Sequence, residues 1–275
     1  MMLAVAAFFA ATFLLGAGNT VGYHRLLTHR AFRTKAPVRA AFAILGALHS
    51  GPPLLWVGLH RLHHLRSDAP DDPHSPKEKG FWYAHTGWLA GRLLGRPVGS
   101  VGAVLFALSG FGQQVATVRH DVMRLLGKNP PEWLQLCPDL AKDRWVVWLE
   151  TPLVTPGLFL AQLIGAWAVG GGWGIAWLWA VHLLLTNASW SVNSICHTPG
   201  FGRAPYDTGD DSRDVPWLAW LTLGESYHNA HHRYPRSACH GLHRGFDPSW
   251  SIIRLLVAVR LAEDPWLPKE ARKVA

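Results

Sequence analysis

The sequence predicts an all-α integral membrane protein with about three transmembrane helices, interfacial helices and a cytoplasmic helical cap. Of its 275 residues, 49% are hydrophobic and only 16% are charged, against about 25% in an average soluble domain. No Asp, Glu, Lys or Arg occurs in residues 1–24 or in residues 151–202. Because an unpaired charge in lipid is costly, such stretches are where a chain can cross a bilayer.

The first predicted span covers residues 3–22, about the length of one bilayer crossing. A cleaved signal peptide would have a basic start and a small-residue cleavage site. This segment has no Lys or Arg before Arg25 and continues directly into Tyr23-His24. We therefore expect it to be retained as a span.

Two further spans are predicted at residues 152–169 and 173–193. They lie in the second charge-free stretch, which Gly170-Gly171-Gly172 interrupts near its middle. Consecutive glycines favour a tight turn, and each flank is long enough for an apolar helix. The two spans should therefore run antiparallel.

Residues 38–58 are also apolar, although Ser50-Gly51-Pro52-Pro53 interrupts them. If this segment crossed the membrane, the histidines before it and those after it would lie on opposite sides. We therefore interpret it as an interfacial amphipathic or re-entrant helix. Everything outside the spans and this helix is expected to be cytoplasmic, within one domain of residues 1–275.

Basic residues follow the first span, at positions Arg25, Arg30, Arg33, Lys35 and Arg39. Positive charge on a short flank marks the cytoplasmic side of a membrane protein. The same preference explains the net charge of +8 without a nucleic-acid partner. The three cysteines have no CxxC spacing, which argues against a disulfide framework or a cysteine zinc site.

Histidines form three clusters, and a further pair follows the last predicted span. The clusters are His24 with His29; His60, His63 and His64; and His228, His231 and His232; the pair is Asn193 with His197. Positions i, i+3 and i+4 share one face of a helix, so the members of each HxxHH cluster project together. His24 and His29 are five residues apart and converge only if the helix ends or bends between them.

Nine imidazoles on one side of the membrane indicate a metal centre. Neutral imidazole binds iron, zinc, copper and nickel, whereas a tetrahedral zinc takes only four ligands. Two metals with open coordination positions fit the number better. Almost no carboxylate lies inside the clusters, which excludes the Glu and Glu-x-x-His ligand pattern of ferritin-like proteins. The sequence thus predicts an all-nitrogen dinuclear site in the cytoplasmic cap.

Several longer motifs occur together over nearly the whole chain: His24-Arg25-Leu26 with His29-Arg30, His60-Arg61-Leu62-His63-His64, Asp72-Pro73-His74, His85-Thr86-Gly87-Trp88-Leu89, Val192-Asn193-Ser194 with His197, and Gly224-Glu225-Ser226-Tyr227-His228-Asn229-Ala230-His231-His232. With this combination the chain resembles the membrane fatty acid desaturases, in particular the stearoyl-CoA (delta-9 acyl-CoA) branch and its bacterial relatives. Members of that family usually have four spans.

The resemblance implies an oxygen-dependent enzyme that introduces a cis double bond, at delta-9, into a saturated acyl chain. Its cofactor would be two Fe²⁺ ions, with dioxygen as co-substrate. One iron would be held by His24, His29, His60, His64 and His231. The other would be held by His63, His197, His228 and His232, with a water held by Asn193. Asp68, Asp72, His74 and Glu225 are expected to support these ligands from outside the site.

The resemblance also implies its partners. The substrate would be a long-chain acyl group on coenzyme A, with a lipid or acyl carrier protein as alternative carriers. In animal acyl-CoA desaturases an Arg-Asp pair that contacts coenzyme A precedes the second cluster, and Gly58 and Leu59 stand there in this chain. Two electrons would come from a separate donor of ferredoxin, rubredoxin or cytochrome b5 type and its reductase. Two other functions stay open: a membrane di-iron hydroxylase or ketolase, and a non-catalytic membrane metal-binding protein.

Overall fold

The computed structural model describes residues 2–128, 135–242 and 245–269, and it has the all-α membrane architecture that the sequence predicts. Its α-helices are α1 Met2–Ala17, α2 Ala36–Ser50, α3 Pro53–Arg66, α4 Pro76–Lys79, α5 Trp88–Leu94, α6 Ser100–Leu108, α7 Gly112–Leu125, α8 Arg144–Leu149, α9 Val154–Ser194, α10 His228–Arg233 and α11 Pro248–Ala258. Two-residue strands, Arg33–Thr34 and Ala262–Glu263, pair antiparallel.

The first helix extends beyond its predicted end. Helix α1 continues without a break into a π-helical segment, Gly18–Thr28, so that the apolar helix runs from Met2 to Thr28. In this segment, glycines allow close packing against α2: a Cβ on Gly18 would lie 2.4 Å from the carbonyl carbon of Leu45. The wider π-helical turns are often found at functional sites.

Helix α9 folds back on itself as a hairpin. Gly171 interrupts it with φ 53° and ψ −135°, a backbone conformation that glycine adopts without strain. Twenty residues of straight helix would span about 30 Å, yet His182 Nε2 lies 3.4 Å from Gln162 Oε1. The two apolar arms therefore run side by side. By length and composition the described residues contain two helices, Met2–Thr28 and Val154–His197, that could cross a membrane, or up to four if each bent helix pair counts as one.

The predicted single helix at 38–58 is wrong as a continuous element. Helices α2 and α3 meet there at an angle of 82°. The break has a local cause, because Gly51 has φ 78° and two prolines follow it, neither of which has a backbone N–H to continue a helix. A bent apolar pair of this kind is compatible with a broken span and with a re-entrant loop.

Helices α6 and α7 form a second bent pair, with an angle of 103°. This pair packs beside the second arm of α9. Trp179 Nε1 donates to the carbonyl of Ser109 at 2.9 Å, and Asn187 Nδ2 donates to the carbonyl of Ala107 at 3.0 Å. The segment around residues 100–125 is thus packed directly against the second arm of α9.

Glu150 fixes the start of α3. Its Oε1 accepts a hydrogen bond from the backbone N–H of Leu54 at 2.5 Å, where an anionic group is favoured by the helix dipole. Arg124 donates to the carbonyl of Glu150 at 2.6 Å. Burial raises the pKa of the Glu150 carboxyl, and although the Leu54 N–H and Arg124 oppose this, the pKa is about 7.

We expect Glu150→Gln to remove a pH dependence of stability. The folded-state pKa lies above the unfolded value, so folding favours the protonated form, and this contribution is lost as pH rises through about 7. The amide imitates that protonated form. At pH 8 the variant should therefore gain roughly 3 kcal/mol over the parent, since one pKa unit corresponds to about 1.4 kcal/mol, and the gain should vanish below pH 5.

Unfolding in detergent at pH 5 and pH 8 measures this difference. Glu78→Gln, at an exposed position, is the matched control. An equal effect of Glu150→Gln at both pH values would contradict the assignment.

Candidate metal centre

Four parts of the chain bring the nine predicted histidines to one place. Helices α3 and α10 each present an HxxHH cluster on one face. The C-terminal end of the π-helical segment supplies His24 and His29. His197 follows directly after α9.

His24 and His29 meet where the helix ends, as the spacing requires. The π-helical segment ends at Thr28 with His29 as its C-cap, and the wider π turn brings the two residues to one side. The backbone N–H of His29 bonds to the carbonyl of His24 at 3.1 Å, an i to i+5 bond. One π turn places residues five apart on the same side, and the two ring centroids are 4.8 Å apart.

Five of the rings point their Nε2 atoms toward one common point. This five-histidine group contains His24, His29, His60, His64 and His231. The separations of the Nε2 atoms are 3.1 Å for His24–His231, 3.1 Å for His29–His60, 3.0 Å for His60–His64 and 2.9 Å for His64–His231. Facing nitrogens at this spacing can surround one metal ion.

The other four rings form a four-histidine group with His63, His197, His228 and His232. The Nε2 atoms of His63 and His197 are buried and have no hydrogen-bond partner among the described residues. A buried polar atom without a partner is costly, and a metal ion would satisfy it. The groups adjoin, since the rings of His64 and His232 are 4.6 Å apart.

Buried carboxylates orient several of these rings. In the four-histidine group, the Nδ1–H of three rings donates to an aspartate, in the pairs His63–Asp72 at 2.9 Å, His197–Asp68 at 2.9 Å and His232–Asp210 at 2.5 Å. This bond fixes the tautomer and leaves the Nε2 lone pair for a metal. In the five-histidine group, His24 Nδ1 pairs with Glu225.

The aspartates are held as anions. Burial by itself would raise the pKa of Asp68, but hydrogen bonds from His197, Ser75 and the backbone N–H of Asp211 lower it to about 2. Burial opposes ionisation at Asp72 and Asp210 as well. There too, the histidine hydrogen bonds outweigh burial and hold both pKa values well below the ordinary range.

The expected supporting residues lie beside the rings, and the sequence reasoning missed others. The ring of His74 lies 4.6 Å from the ring of His63, and the backbone N–H of His74 donates to Asp72 Oδ1 at 3.0 Å. Asp210 was missed because it lies far from every histidine motif, in the acidic loop around residues 207–214. Arg25 and Arg61 directly follow His24 and His60 in the motifs. An arginine beside a predicted ligand could have indicated an acidic partner close to the site.

Arg25 is fully buried and ties the C-terminal region to the site. It bonds to Glu225 Oε1 at 3.1 Å and to Asp247 Oδ2 at 3.0 Å. It also donates to the carbonyl of Ala238 at 2.7 Å and lies 3.2 Å from His240 Nδ1. His240 is packed beside the five rings, with its ring centroid 4.5 Å from that of His231.

Arg61 joins two histidine-bearing segments. Its guanidinium bonds to Asp139 Oδ1 at 2.6 Å and donates to the carbonyls of Leu27 and Thr28, each at 3.1 Å. Asp139 thereby helps to fix α3 against the π-helical segment.

A cavity of about 1030 Å³ passes the histidine groups. Its wall includes His24, His60, His228 and Asn193, and it continues along α1 as far as Phe9. Fifteen residues of helix between His24 and Phe9 correspond to roughly 20 Å. Such a long apolar space beside a polar site is shaped for an extended hydrocarbon chain.

Asn193 lies on this wall, one turn before His197. Its Nδ2 is buried and has no partner among the described residues, which suits the water-holding role that the resemblance implies. We expect Asn193→Ala to lower turnover by about 10–100-fold, the usual range for a group that acts on a metal site from outside, and less than loss of a histidine. Asn193→Gln, which keeps an amide N–H donor, is the comparison, and turnover by Asn193→Ala equal to that of the parent would remove the role.

These features define a helical membrane protein whose histidine clusters can hold a metal cofactor facing an apolar cavity. The fatty acid desaturase family model matches residues 1–254, and the chain belongs to this family.

Several named relatives are similar over 93% of the chain. A chloroplastic palmitoyl-monogalactosyldiacylglycerol delta-7 desaturase of Arabidopsis thaliana is 33% identical. An acyl-CoA 5-desaturase of Anemone leveillei is 35% identical, and an sn-1 stearoyl-lipid 9-desaturase of Synechocystis is 32% identical. The matched regions span 60%, 69% and 69% of these relatives' lengths.

Proposed function

We propose that this protein is an oxygen-dependent fatty acyl desaturase of the stearoyl-CoA (delta-9) branch, which forms a cis double bond with a histidine-ligated di-iron centre. The observation that carries the proposal is the apolar cavity that runs past both histidine groups. The four-histidine and five-histidine groups would each hold one iron. Relatives named as desaturases of acyl-CoA and acyl-lipid substrates support the reaction class.

Two Fe²⁺ ions bound there would supply the reduction of dioxygen that removes one hydrogen from each of two neighbouring methylenes. With two electrons and two protons from outside, dioxygen leaves as two waters and the C–C single bond becomes a double bond. The protein's part is to position the chain and exclude water. Trp88 and Trp190, with rings 5.0 Å apart, line the cavity beside the site.

The cavity also indicates how a substrate lies in it. One branch of the cavity runs between α1 and the second half of α9, and Phe9, Phe13 and Leu184 lie on its wall. Another part of the wall has Arg92, Arg119 and His120. The methyl end of an acyl chain suits the apolar arm. The two arginines suit an anionic carrier, and we propose acyl-CoA.

The proposed setting is a bacterial cell membrane with the metal centre on its cytoplasmic side. The basic residues that follow the first span support this orientation. Two external electrons are needed for each turnover, and a separate donor of ferredoxin, rubredoxin or cytochrome b5 type with its reductase would supply them.

Expression in a desaturase-deficient host tests the function. The fatty acid profile, with double bonds located by mass spectrometry, should show new cis-unsaturated chains. His228→Ala is the inactive control. Hydroxylated products would indicate the hydroxylase alternative, and a parent chain that forms no new product would contradict desaturation. Assays with acyl-CoA, lipid-linked and carrier-protein-linked chains identify the carrier.

We expect Thr12→Phe to shift the products toward shorter acyl chains. Thr12 lines the deep arm of the cavity, about 18 Å along the helix from His24. A larger side chain there would shorten the space for the methyl end, where each C–C bond takes roughly 1.2 Å. Leu14→Phe is the control, because Leu14 is exposed on the outer face of α1. Identical chain-length profiles for Thr12→Phe and the parent would show that the substrate does not use this arm.

A further inference from the structure

The two histidine groups differ in how their outer ring nitrogens are held. In the four-histidine group, three of four rings donate to an aspartate, in the pairs His63–Asp72, His197–Asp68 and His232–Asp210. In the five-histidine group, only His24 has a carboxylate partner, Glu225, among the residues that the structure describes.

The charge of Glu225 is also offset. Arg25 contacts Glu225 Oε1 through Nε at 3.2 Å and through Nη2 at 3.1 Å. No arginine or lysine forms a comparable ion pair with Asp68, Asp72 or Asp210 in the described part of the chain. Hydrogen bonds from Ser75, Thr208 and Ser212 hold Asp68 and Asp210 instead.

This difference has an electronic consequence for bound metal. A carboxylate that accepts the Nδ1–H of a ligand ring makes the ring's Nε2 a stronger donor. Three such rings, with three nearby negative charges, stabilise the higher charge of Fe³⁺ over Fe²⁺. Within the described ranges, the five-histidine group has only one carboxylate beside its neutral imidazoles, and Arg25 offsets the charge of that carboxylate. This environment favours Fe²⁺ over Fe³⁺.

We propose that the two iron sites are redox-inequivalent and that the iron of the four-histidine group loses its electron first. Asp68, Asp72 and Asp210 act here as positioning residues, through the rings that they hold. Removal of one electron by a one-electron outer-sphere oxidant converts one Fe²⁺ to Fe³⁺ and reduces the oxidant by one electron. The inference rests on the di-iron centre of the proposed function.

Mössbauer spectroscopy tests the order of oxidation. The parent chain, reconstituted anaerobically with ⁵⁷Fe²⁺ and treated with one oxidising equivalent of a ferricenium salt per two irons, should show one ferric and one ferrous component. Equal partial oxidation of both irons would overturn the inference.

Substitutions that remove charge and keep shape assign the components to sites. Asparagine can still accept the Nδ1–H, so Asp210→Asn or Asp72→Asn should keep the rings in place. These variants should move the first oxidation to a higher potential and alter the ferric component. Glu225→Gln should alter the ferrous component instead. Asp71→Asn, at an exposed neighbouring position, should change neither.

Loss of iron in a variant is also informative. If Asp210→Asn holds one iron per chain, the remaining iron belongs to the five-histidine group and should stay ferrous at the same oxidant concentration. Ready oxidation of that iron would contradict the inference, and so would a ferric component that responds only to Glu225→Gln. A parent with the expected oxidation order but no unsaturated product would contradict the proposed function alone.

Discussion

His63→Ala and His228→Ala are each expected to abolish product formation while the protein still inserts in the membrane. Each change removes one of only four nitrogen donors in the four-histidine group. His63→Ala also leaves the buried Asp72 without the ring that donates to it at 2.9 Å. Since groups that merely support a ligand ring are worth about 10–100-fold, loss of the ring itself should reduce turnover by more than 100-fold.

Product analysis in a desaturase-deficient host, together with iron per chain in purified protein, measures the effect. Iron content should fall from two toward one. Asp71→Ala, close in sequence but exposed, should retain parental turnover and iron. Turnover near that of the parent in either histidine variant would overturn the ligand assignment.

Arg25→Met is expected to destabilise the fold by about 3–5 kcal/mol, the range for removing one partner of a buried ion pair. The side chain of Arg25 is fully buried. Methionine fills much of the space but leaves Glu225 and Asp247 as buried carboxylates without their cation. The carbonyl of Ala238 loses its donor as well.

Unfolding of the metal-free protein in detergent separates this effect from metal binding. Arg33→Met is the matched control, because Arg33 makes its ion pairs with Glu263 and Asp264 at an exposed position, where such pairs contribute little. A free energy of unfolding for Arg25→Met equal to that of the parent would show that Arg25 is not an anchor. Arg25→Lys should recover part of the loss, since it restores the charge but not the branched geometry.

The helical class could be predicted because apolar length is a local property. The charge-free stretches predicted the long apolar helices, and three consecutive glycines predicted the turn at Gly171. The break between α2 and α3 has its signal in Gly51 and the prolines that follow it, although the apolar length of the segment predicts one helix. The angle of 82° between them is set by packing and not by composition.

The histidine spacing predicted which rings lie close together, but not which of the two groups each ring belongs to. The i, i+3, i+4 pattern indicates which rings share a helix face, but neighbouring ligands on α3 belong to different groups: His63 lies in one and His64 in the other. Their division was implied by the resemblance and not by spacing. The π-helical turn that joins His24 to His29 had no recognisable pattern in the sequence.

The sequence by itself determined the helical membrane class, the nine imidazoles and the faces on which they project, because these depend on residue type and on short-range periodicity. Only the tertiary structure decided which carboxylate holds which ring. Asp68 reaches His197 across 129 residues of chain, and Arg25 reaches Asp247 across 222. Such partners are selected by the packing of distant segments and by the cost of leaving a buried charge unpaired.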